Sequence, residues 1–141
     1  MSANTIAVSS NSNAQGAVLL AGRALLSIMF ILGGFSKLTA IGGTAAWFGS
    51  IGLPMPMVTA VLVGVVELVG GLAILVGYRT RLAAFVLAAF TIAATAIAHL
   101  DLADQVQQLF FMKNLAITGG FLVLAAFGAG SLSLDARAGR S

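Results

Sequence analysis

No cysteine occurs among the 141 residues, which removes disulfides, iron–sulfur ligation, covalent haem attachment and thiol redox chemistry from this chain's own repertoire. The single histidine excludes a bis-histidine haem site, and with so few carboxylates no workable metal set or hydrolytic triad exists, so no metal site is expected. Charge is scarce as well, with Asp, Glu, Lys and Arg at 8% where ordinary soluble domains carry about 25%. Seven basic and four acidic side chains cannot coat a globule of this size. Hydrophobic residues make up 60% of the chain and the mean hydropathy is +1.07, so a soluble domain is excluded and lipid must face much of the surface. The basic residues are scattered and not interleaved with aromatics, which excludes nucleic acid as a partner. With no strand pattern to precede a glycine-rich loop, nucleotide binding is disfavoured too.

What is present is a set of long apolar runs. A helix needs about 20 residues to cross a hydrocarbon core roughly 30 Å thick, and the runs 17–37, 57–77, 81–100 and 114–131 each come near that length. The expected fold is all-α: a polytopic membrane protein, an antiparallel four-helix transmembrane bundle with short interfacial segments. Pro54 and Pro56 mark the start of the second span. Only Tyr78, Arg79 and Thr80 separate the second and third, which makes them antiparallel neighbours. Residues 1–16, rich in Ser and Asn and without charge, read as a disordered tail, and 132–141 as a second tail. The connections 38–56 and 101–113 carry Trp47, Phe48, Phe110 and Phe111 beside polar residues and are expected to lie at the membrane interface.

Orientation follows from basic residues. With four spans, both termini and the middle loop share one side, which holds Arg23, Arg79, Arg81, Arg137 and Arg140, against Lys37 and Lys113 on the other. Both termini are therefore expected in the cytoplasm, with the protein multi-pass in a bacterial inner (cytoplasmic) membrane.

Helical spacing sorts the polar residues into stripes. Arg23, Ser27, Phe30, Gly34 and Lys37 share one face of the first span; Ala60, Gly64, Glu67 and Gly71 form a small-residue seam on the second. Thr91, Thr95 and His99 align on the third, and Asn114, Thr118, Phe121, Ala125 and Gly128 on the fourth. Four stripes imply one shared interior. Glu67, midway along its run, needs a partner or a proton, since a charge at the bilayer centre costs about 2.5–3.5 kcal/mol or more. Arg23 is the expected partner, its long side chain covering the offset from mid-span. The pair could serve only to fix helix register, or Glu67 could hydrogen-bond a quinone or another polar-headed lipophile. Ser36, Lys37, His99, Lys113 and Asn114 are expected to form a polar cap at the outer helix ends. There His99 is either satisfied by loop backbone or turned toward a ligand, and the lysines either snorkel or bind. The candidate ligand-binding residues are thus Glu67, Arg23, His99, Lys37, Lys113 and Asn114; the catalytic residues are unknown.

The ordered motifs GRALLSIMFILGGFSKL, SIGLP, VELVGGLAILVGYRTRLAA, the single His99, the pair Lys113–Asn114 and GAGSLSLD resemble the DoxX family of membrane proteins over about residues 20–135. The resemblance implies a four-helix integral membrane fold, in a family whose members include a subunit linked with thiosulfate:quinone oxidoreduction and proteins of quinone or catechol tolerance. The family pattern falls on Lys37, Gly52, Leu53, Pro54, Glu67, Gly70, Gly71, Arg81, His99, Lys113 and Asn114, without assigning a reaction to any. The function expected is an accessory subunit of a quinone-linked membrane oxidoreductase system. It would have no intrinsic cofactor, a quinone as ligand, and the lipid bilayer, oxidoreductase subunits and a further copy of itself as partners. A scaffold or assembly factor without ligand chemistry, and a small carrier or exporter of a lipophile, are the alternatives.

Overall fold

The computed structural model describes the backbone of residues 2–140 and side chains from residue 13 onward. Its elements are α1 (Ser2–Thr39), α2 (Ile41–Ser50), α3 (Pro56–Val76), α4 (Thr80–Ala98), α5 (Gln105–Phe127) and α6 (Leu134–Arg137). Residues 13–39 of α1, together with α3, α4 and α5, are long and apolar enough to cross a membrane. The large side chains left outside the helix contacts, among them Leu25, Leu32, Phe35, Leu62, Val69, Phe85, Leu115 and Leu122, are apolar. A surface of that kind is stable only against lipid. The protein is an all-α integral membrane bundle.

Local chemistry sets the helix ends. Pro56 occupies the first turn of α3, where no N–H partner is needed, and Gly77 closes that helix in the left-handed conformation. The Asp104 carboxylate accepts the Gln107 N–H at 2.9 Å and caps α5. That cap starts the last span at Gln105 instead of Asn114, and the expected interfacial segment 101–113 shrinks to its first four residues, 101–104. Polarity in 105–113 suggests a loop, but nothing there breaks a helix once it is capped. The α1 backbone is helical from Ser2, and residues 131–140 fold back onto the bundle as described below.

The four stripes all turn inward. Arg23, Ser27, Phe30 and Gly34 are buried on α1; Ala60, Gly64, Gly71 and Ile74 on α3; Thr91 and Thr95 on α4; Thr118 and Phe121 on α5. Phe30 meets Phe121 edge-on at 5.2 Å, joining α1 to α5 in a core that includes Ile74, Leu87 and Leu124.

The crossing of α1 over α3 is closest at Gly34, where an added Cβ would lie 2.5 Å from the Leu68 nitrogen and 2.7 Å from the Gly64 oxygen. Both are backbone atoms and cannot swing aside. Gly34→Ala is therefore expected to destabilise the protein by about 1–3 kcal/mol through forced helix separation. Gly22→Ala, with nothing within 4 Å of the new methyl, should gain up to about 1 kcal/mol. Unfolding of the two variants in detergent, measured by far-UV circular dichroism, checks the contrast.

Candidate functional site

Going along the α1–α3 contact, Gly34 faces Gly64 and Leu68, Ile31 faces Gly71, and Arg23 faces Gly77. Glu67 is consequently level with Gly33 and Gly34, in the part of α1 farther from the termini. Its carboxylate accepts a hydrogen bond from Lys37 Nζ at 2.8 Å, with both side chains mostly shielded. The expected pairing with Arg23 is not made. Arg23 lies some ten residues back along α1, about 15 Å at 1.5 Å per residue, beyond the reach of a guanidinium. Two spans with similar midpoints in sequence are not level in space, because α3 starts beyond the end of α1 and α2 packs against the overhang.

Lys37 and Glu67 stand at the wall of a cavity of about 500 Å³ in the half of the bundle away from the termini, within the size range of small-molecule sites. His99, Lys113 and Asn114 line the same space. Five of the six candidate residues thus share one chamber, and Glu67 joins the polar cap that was expected as a separate feature at the helix ends. Ser36, expected in that cap, is exposed and does not line the cavity.

Each polar group is held by a neighbour. Thr91 and Thr95 hydroxyls donate to the carbonyls one turn back, both at 2.7 Å, and Thr95 Oγ1 accepts from Asn114 Nδ2 at 2.9 Å, which pins α5 to α4. Asn114 keeps its second amide hydrogen for another partner. His99 Nδ1 lies 2.6 Å from Gln107 Oε1, which fits the tautomer in which Nδ1 donates to the amide oxygen and Nε2 can accept. The imidazole stacks on Phe110 at 5.0 Å, and Lys113 Nζ stands 4.3 Å over the same ring.

Apolar walls complete the chamber. Phe48, expected at the interface, is 4% exposed and packs between Ala45 and Ala60. Phe110 and Trp47 also line the cavity, although their outer edges remain exposed. Sequence reasoning missed these aromatic rings as wall residues because both connections, 38–56 and 101–113, were expected to lie along the membrane interface, whereas 41–50 forms α2 and Phe110 belongs to α5. The absence of proline or charge over 41–50 is the signal that could have found the helix.

Arg23 belongs to the opposite half of the bundle. Its side chain is buried, Nη2 donates to the Leu132 carbonyl, and its charge is felt by Asp135. The Asp135 carboxylate accepts the Arg79 N–H at 2.8 Å and the Thr80 N–H at 2.7 Å, capping α4, and its own N–H donates to the Gly77 carbonyl at 2.8 Å. Arg140 Nε reaches the same carboxylate at 3.3 Å. This fastening also holds Arg79 in a left-handed conformation rare for a side-chain-bearing residue. Arg23 and the segment 131–140 therefore close the terminal end of the bundle, away from the cavity.

A span-two seam packed on span one, a glycine turn, and a GSLSLD segment fastened to GYRT are the parts that the family resemblance named, now in contact. The DoxX family model matches residues 18–100, well over half of the chain. The chain belongs to the DoxX family. This DoxX protein is 42% identical over 117 residues to "Inner membrane protein YqjF" of Escherichia coli, covering 83% of the chain and 88% of that relative. It is 33% identical over 139 residues to "Inner membrane protein YphA" of the same organism, covering 95% and 99%. A shorter similarity, 40% over 67 residues and just under half of each chain, is to "Putative oxidoreductase CatD" of Bacillus subtilis. No solved structure matches this DoxX protein.

Proposed function

We propose that this DoxX protein is an accessory subunit of a quinone-linked oxidoreductase system of the bacterial inner membrane, with both termini cytoplasmic, and that it binds a quinone-like lipophile in the bundle. The observation that carries this reading is the cavity itself: a largely apolar chamber of about 500 Å³ whose lining includes a few polar groups, Lys37, Glu67, His99, Lys113 and Asn114. Similarity to two inner membrane proteins supports the location, and similarity to CatD supports the oxidoreductase link.

The residues present fit such a ligand. Lys113 Nζ and the second hydrogen of Asn114 Nδ2 can donate to ring carbonyl oxygens, while His99 Nε2 can accept from a ring hydroxyl. Phe48, Phe90 and Ile117 offer flat apolar surface to the ring. A bound quinone supplies electron-accepting chemistry; the chain supplies position, apolar walls and hydrogen bonds.

Mass spectrometry of lipophiles extracted from the purified protein tests the reading. Wild type is expected to retain a quinone, and folded Glu67→Gln, which slackens Lys37 and its neighbours, to retain about tenfold less, the scale of one charge-assisted hydrogen bond. No quinone in the wild-type extract would remove the proposal. Equal retention in the variant would reduce the Lys37–Glu67 pair to a register device between helices.

A further inference from the structure

Two ammonium groups and one carboxylate face the cavity. Lys37 and Glu67 neutralise each other at 2.8 Å, which leaves the chamber with one uncompensated positive charge, on Lys113. Among the described residues its recorded contact is the Phe110 ring at 4.3 Å, a face that attracts a cation without cancelling its charge. Asp101 and Asp104, the other acids of this end of the bundle, are exposed and outside the cavity lining; Asp104 is occupied as the cap of α5. An ammonium held against aliphatic and aromatic walls is best satisfied by an anion that enters with its own apolar body.

The groups around Lys113 suit such a head. Asn114 has one amide hydrogen to give, and Thr95 fixes the amide so that this hydrogen has a set direction. Phe110, touched by both His99 and Lys113, keeps the imidazole and the ammonium on one patch of wall. Apolar residues fill the rest of the lining, including Met29, Val63 and Ile97.

We infer that the cavity selects amphiphiles whose head is a single oxyanion, a carboxylate or a phenolate, paired with Lys113, over neutral lipophiles of the same length. This rests on the lipophile-binding part of the proposed function and narrows the class of ligand.

Trp47, the sole tryptophan, lines the cavity and reports on it directly. The experiment titrates the purified full-length protein in neutral maltoside detergent at pH 8 with three bromine-bearing quenchers of its fluorescence. These are 11-bromoundecanoate, its neutral counterpart 11-bromoundecan-1-ol, and 2,6-dibromo-4-octylphenol, which is ionised at that pH. Saturable quenching is expected, with at least one acid half-saturating at about one-tenth the concentration of the alcohol, the scale of one charge-assisted contact. Whichever acid leads identifies the head. Lys113→Gln should abolish the preference, so that acid and alcohol half-saturate that variant at similar concentrations, while Lys113→Arg should keep it. Equal curves for acid and alcohol in wild type, or a preference that survives Lys113→Gln, would overturn the charge selection and leave lipophile binding standing. No saturable quenching by any of the three would overturn both.

Discussion

Replacing Glu67 by Ala should cost about 3 kcal/mol of stability, because it strands Lys37 beside Lys113 in a cavity with no other described acid on its wall. The cost comes from the unpaired charge more than from a lost attraction. Removing both partners, as in Lys37→Met with Glu67→Leu, is therefore expected to recover most of the stability. A double-mutant cycle measured by thermal unfolding in detergent separates the pairings. Lys37 and Glu67 should couple by more than 1 kcal/mol, whereas Arg23 and Glu67 should be additive within about 0.5 kcal/mol, as sites without a shared partner are. Strong coupling between Arg23 and Glu67 would contradict the register in which Gly34 crosses Gly64.

Asp135→Ala is expected to be about as damaging, at roughly 2–4 kcal/mol near neutral pH. It uncaps α4, releases the segment 131–140 from the turn at Gly77, and takes away the counter-charge of the buried Arg23. Burial pushes the Asp135 carboxyl up, but hydrogen bonds from Thr80, the Arg79 N–H and Arg140 outweigh it and hold the group below the usual carboxylate range. A lowered pKa in the folded state means that the unfolded chain takes up the proton first. The stabilisation is thus complete above the ordinary aspartate value of about 3.9 and is lost as pH falls through the lower folded value. Wild type should lose stability on acidification below about pH 4, and Asp135→Asn should lack that part of the slope while starting from lower stability. Thermal unfolding of both proteins between pH 3 and 7 measures the difference. Parallel curves would show that the carboxylate is not the fastening.

The two halves of the bundle divide structure from function. The terminal half is closed by Arg23, which donates to the Leu132 carbonyl, and by Asp135, which ties the returning chain to the start of α4. The other half keeps a chamber, and its polar side chains leave donors and acceptors facing inward. That asymmetry explains why conservative changes at Asp135 should alter stability alone, whereas changes at Lys113 should alter binding with little effect on the fold.

Much of this was legible in the sequence, because in lipid every backbone polar group must be satisfied within a helix. Apolar run length then sets the spans, and the spacing of Ser27, Phe30 and Gly34, or of Thr91 and Thr95, tells which face turns inward. Only the tertiary structure decided what meets what. Helix register depends on where two backbones can approach, and that is fixed by Gly34 against Gly64 and Leu68, not by the midpoints of two apolar runs. The approach places Glu67 beside Lys37 and sends Arg23 to the C-terminal segment. Glu67 takes the counter-charge that helix packing brings within reach, and distance along a sequence does not measure that.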